Sequence, residues 1–259
     1  IVDERLNMTL QPQVSVVLMD QYTGHVKAIV GGRGAKTTSL SLNRATASPK
    51  QPGSCFKVLS TYAPGLNECG MTLATTIKDE PYRYASGQPV NNWDNKYIGS
   101  ARVRYAIEHS MNVCAVRTLT ETVGLEKGYK YLENFGFTTL VNNDPNYPGM
   151  SDIAQATALG GITRGVYNIE MTAAYAAIAN SGIYTEPLLY TEILDHDGNV
   201  LIDNSKPITR RVLKESTAFL LTSAMQDVIN RGTGTPARLN NMPAAAVSYT
   251  HLRAHETDQ

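Results

Sequence analysis

The chain has 259 residues, enough for one large domain or two small ones with a real core. Its 23 Lys and Arg balance 23 Asp and Glu, so it offers neither a basic footprint for nucleic acid nor a cationic face for a membrane surface. Hydrophobic residues at 42% and charged residues at 18% are ordinary for a globular protein, and no apolar run reaches the roughly 18 residues of a membrane span.

In chain order, "VSVVLMD" (14–20) and "HVKAIVGG" (25–32) are β-prone runs around the turn "QYTG", and together they predict a β-hairpin. The polar stretch 32–53 is predicted as a long loop leading to a helix that starts at Ser54. Helical periods then follow over 101–108 with Ser100 as a possible cap, 112–123, 126–135, 169–180 and 216–230. Val113, Val116, Leu119 and Val123 share one stripe of the second, which stops at Gly124. "LYTEILDHDGNVLI" (189–202) predicts two strands around an Asp-Gly turn. The pattern is α+β with a sheet that looks incomplete.

Ser54 and Lys57 lie three apart behind Pro52-Gly53 in "QPGSCFK". That spacing puts both on one helix face. A serine hydroxyl becomes a nucleophile when a base takes its proton, and a lysine acts as that base only when neutral, a form that burial favours. Free N–H groups at a helix start also stabilise an oxyanion. A chain this long holds roughly one Ser-x-x-Lys spacing by chance, so a second element is needed. "HSMN" (109–112) supplies Ser110 and Asn112 between two helical runs. A serine there can relay a proton, and an asparagine amide can hold both a lysine and a substrate carbonyl. The plainer reading is a helix cap. A similar triplet, Ser41-x-Asn43, precedes Ser54 inside the loop and is discounted.

These motifs resemble the transpeptidase domain of class A, bifunctional penicillin-binding proteins. The likeness spans about Gln11 to Ala245 and takes in "LQPQVSVVLMDQYTGHVKAIVGG", "LNRAT", "QPGSCFK", "NNWDNKYIGSARVRYAIEHSMNVCAVR", "ALGGITRGVYNIEMTAAYAAIANSG" and "RRVLKESTAFLLTSAMQDVINRGTG". The resemblance implies a penicillin-binding-protein/serine β-lactamase-like fold, with a helical subdomain and an antiparallel sheet. It implies that Ser54 is acylated by the D-Ala-D-Ala end of a peptidoglycan stem peptide, with Lys57 as its general base. Ser110 would pass the proton to the leaving amine, and Asn112 would hold substrate and Lys57. β-Lactams would be covalent ligands of Ser54. No cofactor or metal is implied. The family works at the extracytoplasmic face of the bacterial membrane, with an N-terminal membrane anchor and a glycosyltransferase domain.

The family's third motif, Lys-Thr-Gly, is absent from the 259 residues, and "VSYTHLRAHETDQ" stands where the resemblance places it. Residues 1–246 are therefore expected to be a partial transpeptidase domain, and 247–259 a non-native tail resembling adapter read-through. Genomic DNA carrying the same codons beyond Ala246 would contradict that. The start at Ile1, without methionine or secretory signal, reads as a piece of a longer chain. Such a piece is expected to fold poorly and to be largely inactive. Two rival functions share the motifs: a β-lactamase or D,D-carboxypeptidase, and a β-lactam sensor without enzymatic activity.

Cys55, Cys69 and Cys114 lack metal-like spacing and are expected as indifferent thiols, with Cys55 facing the helix core. Trp93 is expected in the core. His25, His109 and His196 are expected at the surface or in structural roles.

Overall fold

The computed structural model describes residues 2–3, 8–9 and 12–247. The foreign-tail expectation for 247–259 thus falls outside the described residues except at Val247, which is buried.

Val16–Met19 and Val26–Val30 form the predicted antiparallel hairpin, with Val16 opposite Val30 and a bulge between Leu18 and Met19. Asp20 shapes its turn by accepting the Thr23 and Tyr22 N–H groups, and these bonds hold its carboxyl below the ordinary range. Met19 packs on the core, whereas Val16 and Leu18 are exposed. Five further strand pairs are present among the described residues, and none is joined to a third strand. One is the expected pair at 189–202, formed by Glu192–Leu194 and Val200–Asp203. The α+β class with an incomplete sheet is thus the architecture found.

The helical body is built around residues 53–68. A 3₁₀ turn at Gly53–Cys55 passes into a π-type segment, Lys57–Tyr62, and then helix α2, Ala63–Glu68. Phe56, Val58, Leu59, Tyr62 and Ala63 are fully buried here. The Phe56 ring meets Phe137 at 5.0 Å between centroids. Around this spine lie α3 (Val103–Glu108), α4 (Asn112–Thr118, continued by a π-type turn to Val123), α5 (Leu125–Asn134), α6 (Asn168–Ala179) and α7 (Glu215–Asn230). The predicted stripe Val113, Val116, Leu119 and Val123 forms a second buried cluster with Val90 and Ala158. Arg104 to Asp227 and Arg231 to Glu108 tie α7 to α3 at 2.5 and 2.9 Å.

Four expectations are corrected. Stretch 32–53 is not all loop, because Arg44–Ala47 is a short helix, α1, whose cap is Asn43, accepting from Ala45 N at 3.1 Å. That bond gives the discounted Ser41-x-Asn43 triplet a structural role. Ser100 caps nothing: it sits in the strand Gly99–Arg102, paired with Thr76–Asp79. Trp93 is 71% exposed rather than in the core. Cys55 is only partly buried and lines an open cavity. Burial pushes the Cys114 thiol up to about 12, which keeps it protonated and inert.

Candidate active site

The approach to Ser54 is clamped before the serine is reached. Lys50 and Val166 exchange both backbone hydrogen bonds, at 2.9 and 2.8 Å. Gln51 Oε1 accepts from Ile162 N at 3.0 Å. Gly160 then lies against the turn itself. A Cβ there would sit 2.4 Å from Gly53 N and Gly53 O, and φ is +76°. Only glycine meets both conditions without strain. Tyr175 donates its hydroxyl hydrogen to Cys55 O at 2.6 Å and holds the far side.

Ser54 lies in the 3₁₀ turn, half-buried. The expected α-helical start is thus tighter than an α-turn. Lys57 lies beyond that turn, at the first position of the π-type segment, so the pair is not on a regular α-helical face. Lys57 follows, 2% exposed. Its Nζ donates to Ser110 O at 2.6 Å, Ser110 Oγ at 3.0 Å and Asn112 Oδ1 at 2.5 Å. Ser110 is buried and has φ +50°, a left-handed backbone that is uncommon for serine. That kink between α3 and α4 aims both its carbonyl and its hydroxyl at Lys57. Such backbone strain clusters at functional sites.

Asn112 opens α4. Its Nδ2 donates to Asn91 O at 2.8 Å, which fixes the amide so that Oδ1 faces Lys57. The structure therefore brings Lys57, Ser110 and Asn112 together by direct hydrogen bonds and sets Ser54 one turn before Lys57. Sequence reading missed the parts that hold them: Asn91, Asn92, Asp79, Gln51 and Gly160. Asn91 and Asn92 stood in a segment read for its family likeness and its tryptophan, with no role given to either asparagine.

A cavity of about 490 Å³ opens beside the turn, lined in part by Ser15, Arg44, Lys50, Cys55 and Asn168. Burial raises the Cys55 thiol above its ordinary range, against the pull of Lys57, so it is held as a thiol.

Residues 14–249 match the family model of the penicillin-binding protein transpeptidase domain. The chain belongs to this family. Penicillin-binding protein 1A of Clostridium acetobutylicum is 37% identical over 94% of the chain, and penicillin-binding protein 1F of Bacillus subtilis 36% over 94%. The chain spans only 30% and 32% of these two relatives. The crystal structure of penicillin-binding protein 1A from Haemophilus influenzae superposes with a TM-score of 0.70 at 26% identity, covering 86% of this chain and 37% of that one. The PonA1 protein of Mycobacterium tuberculosis, solved with penicillin V, gives 0.71 at 24% identity over 85% of this chain and 57% of that one, a likeness of fold. The expected class A resemblance and the penicillin-binding fold therefore hold. No helix among the described residues is long and apolar enough to cross a membrane.

Proposed function

We propose that the protein is a serine D,D-transpeptidase that cross-links peptidoglycan stem peptides. The observation that carries this reading is the convergence of Ser110 O, Ser110 Oγ and Asn112 Oδ1 on buried Lys57 Nζ, one turn beyond Ser54. Lys57, as the neutral amine, keeps two N–H groups for Ser110 O and Asn112 Oδ1 and takes the Ser54 proton on its lone pair. Ser54 Oγ then bonds to the carbonyl carbon of the penultimate D-Ala. The peptide C–N bond breaks, and the terminal D-Ala leaves with a proton passed through Ser110. An amine of a second stem peptide attacks the ester, forms the cross-link and returns the hydrogen to Ser54. Asn112 holds Lys57 through Oδ1 and orients the donor peptide. Penicillin opens on Ser54 in the same way and remains as a lasting ester.

In the whole protein this domain works at the extracytoplasmic face of the bacterial membrane, beside a glycosyltransferase domain and a membrane anchor, as in the class A resemblance. Without Lys-Thr-Gly the 259 residues lack an oxyanion donor that the resemblance implies, and loss of one such donor costs about 10²–10³ in rate. The chain alone is therefore slow. The test is incubation with a peptide ending in D-Ala-D-Ala and an amine acceptor. Slow release of D-alanine with transfer to the amine supports the reading. Rapid turnover of penicillin without transfer overturns it in favour of a hydrolase, and a lasting adduct without any D-alanine release overturns it in favour of a sensor.

A further inference from the structure

Helix α4 begins without a cap of its own. The residue at its cap position is Met111, whose side chain accepts no hydrogen bond from the helix. The first N–H groups of a helix have no intrahelical partner and need an acceptor. Here that acceptor comes from 20 residues upstream. Asn92 Oδ1 accepts from Asn112 N at 3.0 Å and from Val113 N at 3.2 Å.

Asn92 is itself tightly held. It is 4% exposed, and its Nδ2 donates to Asp79 Oδ1 at 2.8 Å and to Lys96 O at 2.9 Å. Both donors and both acceptor positions of the amide are therefore used, which leaves one orientation of the side chain. Asp79 is fully buried at the end of the strand Thr76–Asp79, and its Oδ2 accepts from Ile98 N at 2.8 Å. The neighbouring Asn91 carbonyl holds the Asn112 amide. Asn112 is thus gripped at its backbone by Asn92 and at its side chain by Asn91.

We propose that Asn92, locked by Asp79, is a positioning residue for the site: it sets where Asn112 Oδ1 meets Lys57 Nζ, and so sets the acylation rate. Asn92 touches neither Lys57 nor Ser54 through any of the bonds above and acts only through Asn112. This inference rests on the reading of Ser54 as an acylated nucleophile.

The test uses benzylpenicillin and the 259-residue chain, separating non-covalent affinity from the first-order acylation step. In Asn92→Asp an oxygen can still cap α4, but the other oxygen faces Asp79 and Lys96 O, both acceptors. The expected result is acylation slowed by about 10- to 100-fold, as for other groups that orient a reacting residue, with affinity unchanged. Adding Asp79→Asn returns a donor toward position 92 while its own carbonyl still accepts from Ile98. The double variant is expected to recover to within a few-fold of the native rate, which general damage to the fold would not allow.

On the native chain, hydrogen exchange at Asn112 and Val113 N–H is expected to be as slow as inside the helix. A folded N92D that acylates at the native rate overturns the proposal. So does a double variant no faster than N92D, and so do unprotected amides at 112 and 113. If the native chain itself takes no penicillin, the underlying reading fails, and the proposal falls with it. Labelling of the native chain with N92D unaffected sinks the proposal alone.

Discussion

Lys57→Met is expected to slow penicillin acylation of Ser54 by about 10²–10⁴-fold, the range in which a positioned general base contributes. Methionine keeps the length and apolar stem of lysine but carries no basic nitrogen. The Phe56 and Val58 packing beside it is therefore undisturbed. What it does lose is the donor to Ser110 O, Ser110 Oγ and Asn112 Oδ1. Leaving buried acceptors without a donor destabilises by about 1–3 kcal/mol each, so the melting temperature falls as well. The two effects are separated by measuring acylation well below the melting transition of the variant. Acylation within tenfold of native would mean that another group removes the serine proton.

Gly160→Ala is expected to damage both the fold and the reaction, although residue 160 bears no functional group. The added methyl meets Gly53 N and O at 2.4 Å and Gly53 Cα at 2.8 Å, all of them backbone. Overpacking of this kind costs about 1–3 kcal/mol. The left-handed φ adds roughly 1–2 kcal/mol for a residue with a Cβ. The turn that carries Ser54 has to move to relieve the contact, and a shift of about 1 Å at a reacting group can cost 10²-fold in rate. Thermal melts and penicillin labelling of the variant check the two effects separately. Labelling at the native rate would show that segment 160–166 does not set the serine turn.

What was legible in the chain was mostly local. The 16–30 hairpin could be read because two β-prone runs flank a turn whose Asp20 and Gly24 shape the reversal. Helix α4 could be read because Val113, Val116, Leu119 and Val123 recur at helical spacing and Gly124 stops the run. Ser54, Lys57, Ser110 and Asn112 could be named from two short motifs and their likeness to a family, and the structure gathers the last three around one nitrogen. What escaped depends on residues far apart in sequence. Ser100 looked like a cap because nothing near it announces its pairing with Lys78. Trp93 looked like core because tryptophan usually is, yet its loop is pinned from within by Asn92 and leaves the ring outside. The cap of α4 left no trace at the helix itself, since Met111 occupies the position where a cap is sought. The π-type turn at Lys57–Tyr62 has no sequence period to mark it, and the fit of Gly160 on Gly53 joins positions more than a hundred residues apart.

The central claim is that Ser54 is a nucleophile served by Lys57. The most direct measurement is the intact mass of the 259-residue chain after prolonged incubation with benzylpenicillin, beside Ser54→Ala. One stable adduct of the mass of benzylpenicillin, formed slowly and absent from Ser54→Ala, is the expected result. An adduct that persists in Ser54→Ala, or a folded native chain that takes none, would contradict the assignment of Ser54.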